Sequence, residues 1–178
     1  MAEGRILKCL TLLDVYTRES LKIRVDYYMT SGDALREVES AFQEYGEPEY
    51  IRSDNGSEFL SKMIQSWLKE KQIATLYIPP GSPWENPYIE SFHEKFRDEC
   101  LSRELFLSLI EAHQIIEEWR KEYNQERPHS SLGYLPPPRN SGHVVATLRS
   151  LRSLRVVPPS KTWSILTFQL VQFLGASH

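Results

Sequence analysis

Two carboxylates in distinctive settings are the residues of this 178-residue chain best suited to chemistry. Asp54 lies in Arg52-Ser53-Asp54-Asn55-Gly56-Ser57-Glu58-Phe59, between a short β-like run and an amphipathic one. Glu90 lies in Trp84-Glu85-Asn86-Pro87-Tyr88-Ile89-Glu90-Ser91-Phe92, with 35 residues separating it from Asp54. Each has an ordinary structural reading. Asp, Asn, Gly and Ser populate turns and helix caps for local hydrogen-bonding reasons, and a glutamate near a helix start is commonly a solvated one. The alternative is that the pair holds a metal, a role that needs both carboxylates placed by rigid elements.

Those elements can be read from the apolar pattern. Ile6 to Val15 and Leu21 to Tyr27 predict two strands joined as a hairpin across residues 16–20. In the second, Leu21, Ile23 and Val25 alternate with Lys22, Arg24 and Asp26, the period of a half-buried strand. Leu35, Val38, Phe42 and Tyr45 recur at helical spacing from about Ser31, and Gly46 and Pro48 stop the helix. Glu49 to Ser53 predicts a strand that delivers Asp54 to its C-terminal edge, where α/β folds commonly place sites. A helical stripe through Phe59, Met63 and Trp67 follows, then a strand from Ile73 to Ile78. The prolines at 79, 80 and 83 make the next stretch a loop.

Asn86 is a favoured N-cap and Pro87 a favoured first helical residue, so a helix restarts there. Its buried stripe is Ile89, Phe92, Phe96 and Cys100; Glu90, Glu94 and Arg97 share a neighbouring face. Glu90 then falls near the positive end of the helix dipole, which favours an ionised carboxylate. Ser108 to Glu111 has a capping-box pattern and opens a last helix, with Ala112, Ile116, Trp119 and Tyr123 inward. The order is β-β-α-β-α-β-α-α, a mixed α/β architecture.

With these stretches in place, the sequence resembles the catalytic core of DDE-type transposases and retroviral-like integrases. The likeness is specifically to the second-frame product of bacterial insertion sequences. It is carried by "LTLLDVYTRES", "IRSDNGSEF", "PPGSPWENPYIESFHEKFRDEC" and "YNQERPHSSLGY", in the family's order and across roughly residues 5–136. The resemblance implies an RNase H-like fold in which three carboxylates hold two Mg2+ or Mn2+ ions for in-line phosphodiester transfer. Asp54 matches the second acidic position and Glu90 the third. Asn86, Arg127 and His129 are the candidate DNA contacts. The family's first Asp belongs to a strand upstream of the one resembling Ile6–Val15, so the expectation is a core missing its first strand and inactive alone. Asp14 and Asp26 read as turn and strand-end residues. The implied partners are DNA, both transposon ends and target, and a second copy or an intact transposase.

Composition bounds the setting. Residues 1–126 carry 15 Lys/Arg against 24 Asp/Glu, whereas residues 127–178 carry six Lys/Arg and no acid. The acidic block argues against a simple basic DNA-binding surface but suits an enzyme whose metals bridge acidic side chains to phosphate. Only Cys9 and Cys100 are present, which excludes a zinc or disulfide framework and fits a bacterial cytoplasm. No segment has the length and apolarity of a membrane span or a signal core. Residues 137–178 read as a poorly specified tail, disordered or frame-shifted. Two functional alternatives remain at this point. One is a non-catalytic truncated transposase that regulates the intact protein; the weaker one is a nuclease of RNA–DNA hybrids, against which the "YNQERPHSSLGY" region argues.

Overall fold

The computed structural model describes residues 6–54, 62–78, 87–137 and 165–174. Its elements are β1 (Ile6–Asp14), β2 (Ser20–Asp26), α1 (Ser31–Tyr45), β3 (Tyr50–Asp54), α2 (Lys62–Glu70), β4 (Ala74–Ile78), α3 (Pro87–Phe96), α4 (Leu109–Gln125) and β5 (Ile165–Leu174). A π-helical turn, Arg97–Leu101, continues α3, and a 3-10 turn, Ser130–Leu132, follows α4.

The first hairpin forms as its alternation predicts, with Cys9 opposite Val25 and Thr11 opposite Ile23. A register shift between Leu12 and Leu13 marks a bulge beside the turn. In that turn the Asp14 carboxylate accepts from the Tyr16 N–H at 2.9 Å and from the Thr17 hydroxyl at 2.6 Å. Arg18 adopts a φ of 66°, the left-handed conformation that reverses the chain. Helix α1 starts at a capping box: Thr30 accepts from the Asp33 N–H while Asp33 accepts from the Thr30 N–H. It ends at Gly46, whose φ of 96° a side chain would oppose.

The sheet order is β2-β1-β5-β3-β4. β1 runs antiparallel to both its neighbours, and β3 runs parallel to both of its own. Because β1 is covered on both faces, it is a nearly continuous apolar run rather than an alternating one. On one face Leu10 and Leu12 join Leu21 and pack with Val38 and Phe42 of α1 and Ile64 and Leu68 of α2. On the other, Leu7, Cys9 and Leu13 meet Ile89, Phe92 and Phe96 of α3 and Ala112, Ile116 and Tyr123 of α4.

β5 departs from the sequence expectation. It comes from the segment read as a poorly specified tail, and it occupies the place in the sheet where the resemblance implied a gap. The physical reason is hydrogen bonding: β1 and β3 do not pair with each other, so the backbone groups facing the space between them need a strand. Ile165–Leu174, without charge or proline, meets that need.

The "YNQERP" stretch ties α4 to this frame. Asn124 accepts from the Ser20 N–H at 2.8 Å and donates to the Ser20 carbonyl at 2.9 Å, closing the start of β2 with a side-chain amide. Arg120 also donates to the Ser20 carbonyl, at 2.7 Å, so only the Ser20 N–H is orphaned when Asn124 is removed. Asn124→Ala should therefore cost about 1–3 kcal/mol, the penalty of one buried unpaired donor, read from urea unfolding midpoints. A loss below a few tenths would show that this amide is not the clasp.

Candidate metal centre

Asp54 is the last residue of β3 and lies opposite Ile78 of β4, so the parallel pair brings it to a C-terminal sheet edge. Asn55 and Gly56, and the proposed cap Asn86, lie outside the described residues. Glu90 is in the first turn of α3 and exposed to solvent.

What fixes Glu90 is the docking of α3. Ile89, Phe92 and Phe96 are fully buried, and the Phe92 ring meets Tyr123 edge-on at 5.0 Å and Trp119 at 5.7 Å. Three residues beyond Glu90, the buried His93 ring lies 2.8 Å from the Thr11 hydroxyl, joined by a hydrogen bond whose direction the imidazole tautomer sets. Thr11 is itself fully buried in β1. This joint pins α3 to the sheet one helical turn from Glu90.

The joint also defines a row across the sheet. Thr11 stands opposite position 169 of β5. In the parallel β5–β3 ladder Ser53 stands opposite Phe168, so Asp54 comes level with position 169. Thr11, Gln169 and Asp54 thus share one transverse level, with neighbouring strands about 4.8 Å apart. Glu90 is attached to the same level through His93.

Burial, and secondarily Arg97, pushes the His93 imidazole down to about 4, so it is neutral at pH 7. Its folded value is depressed, so the unfolded chain binds the extra proton as pH falls below about 6.5. The stability His93 contributes is present above that value and is lost toward pH 4. The full effect is on the order of 3 kcal/mol. Urea midpoints should fall between pH 7 and pH 5, and an NMR titration should place His93 near 4. A His93 titrating near 6.5 would contradict the buried joint.

The other candidates are occupied by the fold. Arg127 forms a two-pronged ion pair with Glu99 of the π-helical turn, with one N···O distance of 2.5 Å, and holds that carboxyl below its ordinary range. His129 packs edge-on to Tyr123 at 5.1 Å and is pushed down to about 4 by burial and by Lys95, Arg127 and Arg18. Asp14 is buried, its carboxyl raised chiefly by that burial, and spends its oxygens on the hairpin turn. Cys9 and Cys100 are buried thiols held up at about 12 by burial. Sequence reasoning missed the Thr11–His93 joint; the available signal was a histidine one turn from Glu90 on a helix with an apolar stripe. Among the described residues no group of three His, Cys, Asp or Glu side chains could hold a metal ion.

A mixed five-stranded sheet with helices on both faces is the RNase H-like architecture of integrase catalytic cores. Two integrase core domain models match the chain, one over residues 1–83 and the other over residues 71–137. The chain belongs to the integrase-core family. It is 42% identical over 158 residues to the 39.2 kDa protein of insertion element IS476 from Xanthomonas euvesicatoria, covering 89% of this chain and 44% of that protein. Identity is 40% over 137 residues to the 31.7 kDa protein of insertion element IS407 from Burkholderia multivorans, covering 77% and 50% respectively. This chain therefore spans half or less of the length of those relatives. In structure it is similar to the HTLV-2 integrase catalytic core solved with magnesium, with a TM-score of 0.55 at 20% identity over 72% of this chain and 81% of that one. It is also similar to a chain of the simian T-cell lymphotropic virus intasome, with a TM-score of 0.60 at 16% identity over 84% and 50%. No helix among the described residues is long and apolar enough to cross a membrane.

Proposed function

We propose that this chain serves DNA transposition as a transposase catalytic-core portion, residues 1–136, in which Asp54 and Glu90 are two of the carboxylates that face Mg2+ or Mn2+. The observation that carries this reading is the Thr11–His93 joint, which ties the helix bearing Glu90 to the sheet level of Asp54. The donor type fits hard divalent cations. The donor number does not: β5, the strand beside Asp54, contains no acid, and Ile78 on the other side has no donor. The purified protein is expected to show no appreciable joining of transposon-end DNA.

DNA contacts belong, in this reading, to Asn86, Arg127 and His129. The cations Arg18 and Lys95 near His129 add positive field there. Binding through such groups weakens as salt rises. The setting is a bacterial cytoplasm, with a second copy or an intact transposase as the protein partner.

Mn2+ calorimetry tests the carboxylate assignment. Weak binding should fall about tenfold or more in Asp54→Asn and in Glu90→Gln alike, about 1.4 kcal/mol or more each, and should be unchanged in the neighbouring Glu94→Gln. Equal binding by all four proteins would remove Asp54 and Glu90 from the site.

The acid-free β5 also favours a second reading: a non-catalytic regulator that enters assemblies of intact transposase. Stoichiometric addition of this chain should then inhibit an intact transposase in a mixed reaction. Unchanged rates would exclude that role.

A further inference from the structure

Among the described residues, three other than glycine adopt a left-handed backbone: Arg18 at φ 66°, Gln72 at φ 57° and Tyr134 at φ 63°. That conformation costs a bulky side chain energy that Gly or Asn avoids. Gln72 has a local reason for it. It follows α2 and lets the Ile73 N–H reach the Leu68 carbonyl at 2.9 Å, the usual left-handed close of a helix. Arg18 and Tyr134 sit in tight loops whose backbone bonds Gly or Asn would make equally well. The Arg18 N–H donates to the Asp14 carbonyl at 2.8 Å in the β1–β2 turn. Tyr134 follows Gly133, itself at φ 66°, and donates its N–H to the His129 carbonyl at 2.8 Å. The His129 N–H donates in turn to the Leu135 carbonyl at 3.1 Å, which closes the loop. The reason for an arginine and a tyrosine at these positions therefore lies in their side chains.

The two loops meet. Arg18 Nε donates to the Ser131 hydroxyl at 3.3 Å, three residues from Tyr134, and the same guanidinium lies 3.3 Å from the centre of the Tyr88 ring. Tyr134 is 75% exposed. Lys95, Arg127 and Arg18 all direct positive charge at His129, the residue that begins the loop, and of these Arg127 is paired with Glu99. We propose that the β1–β2 turn and the loop after α4 form one contact surface for an unpaired nucleotide of DNA, with Arg18 on the phosphate and the Tyr134 ring against the base. This rests on the reading that the chain contacts DNA, and adds the form of the strand and the two residues that take it. A tyrosine ring stacks on a base only where the base's own face is free, as in a single strand or at a strand end. Tyr88 holds the guanidinium by a cation–π contact, and the planar donor fork of arginine suits phosphate.

Fluorescence anisotropy of the full chain with a short oligothymidylate, and with a blunt duplex of the same length, tests this. Tyr134→Asn removes the ring and keeps a residue that tolerates the left-handed backbone. It should leave the urea midpoint and the salt dependence unchanged and weaken single-strand binding at least about fivefold, the low end for one base–aromatic stack. Tyr134→Phe should bind as the natural chain does. Arg18→Gln should weaken binding and flatten the slope of log affinity against log salt by about 0.7, the value of one phosphate contact on a single strand. Duplex binding should be indifferent to Tyr134→Asn. Should Arg18→Gln fold poorly, photocrosslinking of a 5-iodouracil strand to the natural chain decides: a crosslink at Tyr134 supports the proposal, and crosslinks elsewhere alone overturn it. Equal single-strand binding by the natural chain, Tyr134→Asn and Arg18→Gln overturns this inference and leaves the DNA reading standing. So does a Tyr134→Asn defect that follows a lowered urea midpoint, which would make the tyrosine a structural residue. Absence of binding to either strand or duplex overturns both readings.

Discussion

A chain ended after Pro137 should fail to fold cooperatively. Removing β5 leaves the β1–β2 hairpin and the β3–β4 pair with no shared strand, since neither β1 nor β2 pairs with β3 or β4. The strand contributes nine register pairs to β1 and four to β3. Even at about 0.5 kcal/mol net per backbone hydrogen bond, a loss of that extent matches the whole stability of a typical domain, about 5–15 kcal/mol. The freed edges of β1 and β3 expose unpaired backbone N–H and C=O groups, a template for pairing between chains. Thermal melting by circular dichroism should show no transition, and gel filtration should show aggregate. Thr167→Pro should act in the same direction with a smaller effect, because Thr167 stands opposite both Leu13 and Arg52 at the centre of the sheet. Cooperative melting of the truncated chain within a few degrees of the full one would contradict this role for β5.

The second large effect concerns the seat of Glu90. Phe92 is 1% exposed, and its ring contacts His93, Phe96, Trp119 and Tyr123 at centroid distances between 5.0 and 6.1 Å. Rigid elements converge on it from α3 and α4, so the space left by truncation cannot close cheaply. Phe92→Ala should cost about 3–5 kcal/mol, measured by urea unfolding. Leu107→Ala, at a side chain 80% exposed, should stay within about 0.5 kcal/mol. The Phe92 variant should also lose Mn2+ response in proportion, since a loosened α3 spreads Glu90 over many positions. A destabilised variant with unchanged metal affinity would mean that α3 packing does not position the carboxylate.

Much of the fold was legible because local pattern and final packing agree. β2 alternates and is half-buried as it alternates; Thr30, Asp33 and Gly46 bound α1 as cap chemistry requires. The Ile89, Phe92, Phe96 and Cys100 stripe was readable, but the switch to a π-helical turn at Arg97 was not. One extra residue per turn there leaves the apolar spacing nearly unchanged, and Cys100 is still buried. β5 was illegible for a different reason. Its residues have β-forming character, yet nothing local says that Leu170 will pair with Leu10, a contact across most of the chain. The site divides in the same way. Asp54 and Glu90 stood out by type and setting, whereas the Thr11–His93 joint is a long-range hydrogen bond between residues that look unremarkable in sequence. Arg127, read as a DNA contact, has its described partner in Glu99, a pairing that only the path of α4 past the π-helical turn reveals.

The most direct test of whether Asp54 and Glu90 face one ion is oxidative mapping. Fe2+ substituted for Mg2+, with ascorbate and peroxide, generates oxidant at the bound ion and cuts the backbone beside its ligands. The expected result is cleavage near residue 54 and near residue 90 together, with both cuts suppressed by excess Mg2+ and both lost in Asp54→Asn. Cleavage at only one of the two segments, at neither, or indifferent to Mg2+ would contradict a shared cation site.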